Sequence, residues 1–437
     1  MAPGAAPQEP SHAVTLARLP DPRCRAASAL VNRRLVGGAS GLALIAIVGG
    51  ALAANALLGG PGPSPTPVGS GVASVPSPSA SGSASTSPGE SPTPSPTPTP
   101  VPTPVLVPAP LDGVLVSPAL AKQHPIAVMI DDLSPARPQS GFSDASVVWQ
   151  APAEGGIPRY MMIFQERTPK DVGPVRSSRL YFIEWAAEWK AAYVHAGGSP
   201  QALSTLRAKG AGQWVYNIDQ FRWGAYFRRI PTRFAPHNLY TTGKDLRQLA
   251  KRAGATASAH KAVWTFAPDA PLEARPVGGR IEADYQDNVI VYRYDRATNT
   301  YQRSVSVEGR QVDAGTKKKV APKNVVIMRM VFGPLGDDTH HHRLEAQVTG
   351  SGVAWIATNG KTIKGTWRKK SATAPTLFYD KNGKQVTLTV GQTFVQVMKT
   401  TDRVVIKDGT VPPSTGSPSP SPSASPSAWS PLWAVPV

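Results

Sequence analysis

Residues able to do chemistry concentrate in one part of this chain, between positions 131 and 238. Asp131 and Asp132 end an apolar run. Arg137, Glu154, Arg159, Arg176, Arg179, His195, Ser199, His237 and Asn238 follow. Glu154 opens the string Glu154-Gly155-Gly156, and glycines at a strand end leave backbone room for a ligand. A carboxylate there, Glu154 or Asp131, can act as general acid or base with His195 or His237 as partner. Arg176 and Arg179 stand where a helix begins. Their guanidinium forks match carboxylate or phosphate, and the free N–H groups of a helix start add to the attraction. A competing reading is a buried polar network, with the arginines paired to Glu184, Glu188 or Asp131 and each histidine hydrogen-bonded in the core. Residue types alone leave both open.

The binding candidates are therefore Arg137, Arg159, Arg176, Arg179, Ser199 and Asn238; the catalytic candidates are Asp131, Glu154, His195 and His237. Ser199 sits in Gly197-Gly198-Ser199-Pro200, which lacks the second glycine of a nucleophile elbow. Helix capping by Ser199, with Pro200 at the first helical position, is the better account. His340-His341-His342 beside Asp337-Asp338 is the one cluster resembling a metal site, but spacing specifies no third ligand. No metal and no cofactor is expected. Phosphate-binding loops, dinucleotide glycine fingerprints and HExxH are absent.

Among 437 residues, 46 Lys and Arg oppose 28 Asp and Glu, a net charge of +18. An anionic partner follows: wall polymer, lipid surface or nucleic acid. Basic residues cluster at 222–233, 244–252 and 317–323, the first interleaved with Trp223, Tyr226 and Phe227. Cys24 is the single cysteine, so no intramolecular disulfide and no cysteine-based zinc site can form.

The elements that must position these residues form a series. Residues 1–34 are a Pro/Ala/Arg-rich leader, expected to be disordered and cytoplasmic. Residues 35–58 carry no charge, and about 20 apolar residues suffice to span a bilayer as a helix. Basic residues precede the run and none follows closely, which places the leader inside and the remainder outside the cell. Ala54-Asn55-Ala56 resembles a cleavage site, so a signal peptide is the alternative, although the charged leader is long for one. A single-pass anchor makes nucleic acid an unexpected partner and favours an anionic cell-wall polymer or a membrane-surface partner. Residues 59–110 form a Pro/Ser/Thr-rich linker of polyproline character, and 406–437 a similar tail.

Between them lies the folded region. Residues 111–258 alternate strand and helix signals, which argues a mixed α/β domain. The stretch 178–190 is its most apolar helix, capped by Ser177 or Ser178, with only Glu184 and Glu188 interrupting the surface. Residues 259–405 read as a run of short strands with turns at Asn359-Gly360 and Asn382-Gly383, a mostly β domain. The fold class is α+β.

Several strings, in order, resemble the YerB-like family of bacterial envelope lipoproteins, whose function is uncharacterised. They are IAVMIDD, ARPQSGFSDASVVWQAPAEGGIPRYMMIFQE, VGPVRSSRLYFIEWAAE, HAGGSP and APHNLYT, then NVVIMRM, TGSGVAWIATNGKTIKGTWRKKSATAPTLFYDKNGK and LTVGQTFVQVM. The resemblance spans nearly all of 112–400 in two blocks and implies an extracytoplasmic, membrane-tethered protein with an α/β first and a β-rich second domain. Relatives carry a lipidated cysteine, whereas Cys24 precedes the apolar run and a transmembrane helix takes that role here.

Two functions are compatible with these residues. One is a non-catalytic envelope protein binding an anionic wall polymer or partner through the first-domain cleft. The other is a wall glycan or peptide hydrolase or transferase using Glu154 or Asp131 with His195 or His237. Geometry discriminates: an enzyme needs Glu154, His195 and the arginines converging on an open pocket.

Overall fold

A computed structural model describes residues 104–413 except 209–212, 258–259, 287, 307 and 337–341. The expected span at 35–58, its leader, most of the linker, most of the tail and His340–His341 lie outside the described residues. Among the described residues, no helix is long and apolar enough to cross a membrane.

The first half supplies β1 (Ile126–Asp131), β2 (Val147–Glu154), β3 (Ile157–Phe164), α1 (Leu180–Ala187), β4 (Ala192–His195), α2 (Pro200–Arg207), β5 (Tyr216–Asp219) and α3 (Gly243–Arg252). The second supplies β6 (Arg280–Tyr285), β7 (Asn288–Asp295), β8 (Thr300–Val305), β9 (Asn324–Met330), β10 (Gly350–Thr358), β11 (Lys361–Lys369), β12 (Leu377–Asp380), β13 (Thr393–Lys399) and β14 (Val404–Lys407). β14 crosses the expected boundary at 405.

Both halves build one ten-stranded sheet, in the order β12-β11-β10-β9-β13-β2-β3-β1-β4-β5. The junction is parallel: β13 pairs with β2, aligning Thr393 with Val147 and Gln396 with Gln150. Its central strands are apolar almost throughout because both faces are covered. Alternation along each strand sends side chains to opposite sides. Ala127, Met129, Val147, Trp149, Val326, Met328, Val395 and Val397 join Tyr181, Phe182, Ile183 and Trp185 of α1 in one core. Ile126, Val128, Ile130, Val325, Ile327 and Phe394 face the other way, toward Leu246 and Leu249 of α3 and the second sheet. That second sheet is five-stranded and antiparallel, with Gly309–Arg310, β8, β7, β6 and β14 in order. Every second residue of β6 and β8 is buried, the pattern of a sheet covered on one face.

Helix α1 is buried as expected, and its Trp185 stacks on Trp149 with ring centroids 4.8 Å apart. Neither Ser177 nor Ser178 caps it. The N-cap is Arg179, without a side-chain cap, because Ser178 Oγ is drawn into the core at 2.7 Å from the Tyr193 hydroxyl. Ser199 does cap α2, accepting from the Ala202 N–H at 3.3 Å with Pro200 in the first turn.

Two buried polar contacts lock the halves. Lys369 of β11 reaches Glu188, just past α1, at 2.9 Å with both side chains fully buried. Arg303 of β8 is likewise buried and donates from Nη2 to Gln150 at 2.6 Å and from Nε to the Tyr292 hydroxyl at 3.0 Å. Its guanidinium lies 5.4–5.7 Å from the ring centres of Tyr160, Tyr292 and Phe394. Gln150 then passes the contact to buried Asp132, donating at 2.6 Å.

Candidate functional site

The candidates gather where β1, β2 and β3 end beside the loop 172–179. Gly155 and Gly156 have φ of 57° and 79°, a left-handed pair that closes the β2–β3 hairpin and holds Glu154 at its lip. Glu154 accepts from Arg159 at 2.6 Å and from Arg179 Nε at 2.8 Å, with Arg179 Nη2 also in contact. Other donors of these arginines are occupied as well. Arg159 Nη1 meets the Ser177 carbonyl and hydroxyl at 2.9 and 3.0 Å, and Arg179 Nη1 meets the Ser178 carbonyl at 2.6 Å. Burial works against the charge on Glu154, but Arg159 and Arg179 outweigh it and hold the carboxyl below its usual value. Burial and the adjoining Arg179 pull Arg159 down to about 10. A carboxylate clamped in this way is kept ionised and is a poor proton donor.

The second cluster centres on Asp131. Asp131 accepts from the backbone N–H of Leu133 at 3.2 Å, and its Oδ2 lies 2.7 Å from His237 Nδ1 and 3.4 Å from Arg176 Nε. The Arg176–Asp131 contact is an ion pair without hydrogen-bond geometry. Among the described residues, no acceptor meets the Arg176 Nη atoms, and the side chain keeps 24% of its surface exposed. The backbone fixes Arg176 firmly: its N–H donates to Met129 at 2.9 Å and its carbonyl accepts from Ala196 at 3.0 Å. A rigid backbone thus carries a guanidinium with unused donors.

The other candidates are committed elsewhere. His195 is fully buried, with Nδ1 2.8 Å from the Gly197 carbonyl and Nε2 2.8 Å from Asn217 Oδ1. It has no contact with Glu154. Arg137 pairs with Asp132 at 3.0 Å and Glu308 at 2.7 Å. Asn238 ties its own loop, donating to the Ile230 and Arg233 carbonyls and accepting from Arg229 at 2.7 Å. Burial raises Asp132 despite Arg137 and Arg303. Beside Arg179 lies a cleft of about 60 Å³, edged by Glu184, Ser199, Gln201, Arg343 and Glu345. That is room for a few waters, not for a sugar or peptide. Among the described residues, no three His, Cys, Asp or Glu side chains are grouped to hold a metal ion.

Residues 111–256 match the model of the N-terminal domain of a protein family of unknown function, DUF3048, and residues 281–395 match the model of its C-terminal domain. The chain belongs to this family. It is 29% identical over 307 residues to the putative lipoprotein YerB of Bacillus subtilis, covering 69% of this chain and 89% of that one. The crystal structure of Bacillus subtilis YerB is similar with a TM-score of 0.61 and 27% identity, over 69% of this chain and 99% of the other. The YerB-like resemblance and the mixed fold of many strands and few helices are thereby established. Each DUF3048 half contributes five strands to the large sheet.

Three groups outside the sequence-based set complete the site. Ser177 receives Arg159, Tyr181 donates to the Pro152 carbonyl at 2.6 Å, and Gln150 couples Asp132 to Arg303. The sequence reading singled out none of these contacts; a lone amide among the apolar residues before Glu154 is the signal by which Gln150 could have been found.

Proposed function

We propose that this chain is a non-catalytic envelope protein, held at the outer face of a membrane by residues 35–58, that binds an anionic wall polymer through Arg176. The observation that carries the reading is Arg176 itself. It is partly exposed, positioned by backbone hydrogen bonds on both sides, and has Nη donors that no described residue uses. The charge count agrees. Arg159, Arg176 and Arg179 face two carboxylates, Glu154 and Asp131, so one positive charge is left over. The name of its Bacillus relative, a putative lipoprotein, supports the envelope location, as does the uncharged run before the linker. The hydrolase reading keeps only one of its pairs, Asp131 with His237 at 2.7 Å. Glu154 and His195 do not meet, and Glu154 is paired to two arginines.

Two measurements test this. Protease added to intact cells should cleave the folded region, and protection would refute the location. Full-length protein in detergent should retain a wall-polymer fraction at low salt and release it at high salt, as an ion-pairing site requires. Arg176→Ala should lose that retention while exposed-lysine variants such as Lys381→Ala keep it. Equal retention by Arg176→Ala would refute the site.

A further inference from the structure

Two phenylalanines stand almost bare beside this site: Phe221 is 78% exposed and Phe234 is 90% exposed. Burying a phenylalanine is favourable, so leaving two in water on one loop system calls for an explanation. Their positions supply it. The Phe221 ring lies over Gly197, 3.1 Å from where a Cβ would be. Gly197 belongs to the turn that brackets Arg176: Ala196 donates to the Arg176 carbonyl, and the Gly197 carbonyl accepts from Ser178 at 2.9 Å. Phe234 belongs to the turn that carries His237. Its carbonyl closes a turn with the His237 N–H at 2.9 Å, and the His237 ring rests on Asp131, the ion-pair partner of Arg176.

We propose that Phe221 and Phe234 are aromatic platforms beside the Arg176–Asp131 pair, and that the occupant is a polysaccharide of carboxylate-bearing sugar rings, a polyuronate. This deepens the anion-binding reading and rests on it. A sugar ring presents an apolar C–H face that an aromatic ring can cover, while its carboxylate takes the guanidinium fork. Carboxylates remain among these groups. Asp219 Oδ1 accepts the Gly197 and Phe221 N–H groups at 3.2 Å each, and among the described residues nothing donates to Oδ2. Such acceptors suit sugar hydroxyls and repel a closely spaced phosphate chain.

The test uses full-length protein in detergent with four labelled probes: polygalacturonate, polyphosphate, a single-stranded oligonucleotide and dihexanoyl phosphatidylglycerol. The variants are Arg176→Ala and the double change Phe221→Leu with Phe234→Leu, which keeps apolar bulk and removes the rings. Both phenylalanines are exposed, so unchanged melting is expected of the double variant. Polygalacturonate should bind in preference to the other three, weaken roughly tenfold in the leucine variant and vanish in Arg176→Ala. If Arg176→Ala abolishes binding while the leucine variant binds like wild type, the anion site stands and the aromatic platform is refuted. Unchanged binding by Arg176→Ala would refute the anion site itself. Equal or better binding of polyphosphate, oligonucleotide or the lipid, or no binding of polygalacturonate, overturns the polyuronate assignment.

Discussion

Arg176 and Arg179 sit three residues apart on one loop, yet the structure gives them opposite fates. Arg179 turns inward, where it shares Glu154 with Arg159 and closes on a carbonyl. Arg176 stays partly exposed, where Asp131 holds it at ion-pair distance but leaves its outer nitrogens unused. Identical side chains with identical charge thus serve as a brace and as a recognition group. What separates them is saturation. A buried guanidinium must satisfy every donor within the protein, whereas a half-exposed one can leave donors for a ligand.

The strongest way to break this contrast is to remove a partner from a fully saturated pair. Lys369→Ala strands the Glu188 carboxylate in the core and should cost about 3–5 kcal/mol, read as a large fall in melting temperature. A shift of only a degree or two would mean that buried charge is not locking the halves. Arg179→Ala should cost about 2–3 kcal/mol by leaving part of Glu154 unpaired. Arg176→Ala should change stability by less than about 0.5 kcal/mol and remove anion binding. Equal destabilisation by the two arginine variants would erase the distinction between brace and recognition group.

A third test uses pH. Glu166 is buried and accepts from Ser146 Oγ, while Arg167 bridges it to Asp112 at 2.9 and 2.8 Å. Burial first, and the Asp112 carboxylate second, push Glu166 up to about 7 against the pull of Arg167. A raised folded value means the folded state binds the proton more tightly. This stabilisation is complete below the ordinary glutamate range and fades as pH climbs toward 7. Glu166→Gln should therefore flatten the melting profile between pH 5 and 7, where the swing is on the order of 2 kcal/mol. Glu154 runs the other way. Its lowered value gives stability present above the ordinary glutamate range and lost as pH falls through it. Ser199→Ala should cost about 1 kcal/mol from the lost cap, with no change in polymer retention. Loss of retention there would move the site toward the start of α2.

Much of the local structure was legible. The spacing of Tyr181, Phe182, Trp185 and the alanines read as a buried helix, and Ser199-Pro200 read as a helix start. The serines before α1 misled, because a cap signal is local while the bond from Ser178 to Tyr193 joins distant segments. The site was legible as a set of residue types and not as an arrangement. Glu154, Asp131 and the arginines were in view. That Glu154 would take Arg159 and Arg179, and Asp131 would take His237 and Arg176, depended on how the strand ends meet the loop.

The sequence by itself determined the elements and the excess of positive charge, since periodicity, caps and glycine turns act over a few residues. It also carried the family in its ordered strings. Tertiary structure alone decided that β13 would lie beside β2 and merge two halves into one sheet, because strand pairing is a long-range choice. It decided, too, which arginine would be left with donors to spare. That outcome depends on burial and on the carboxylates within reach, and neither is written in the residue it concerns.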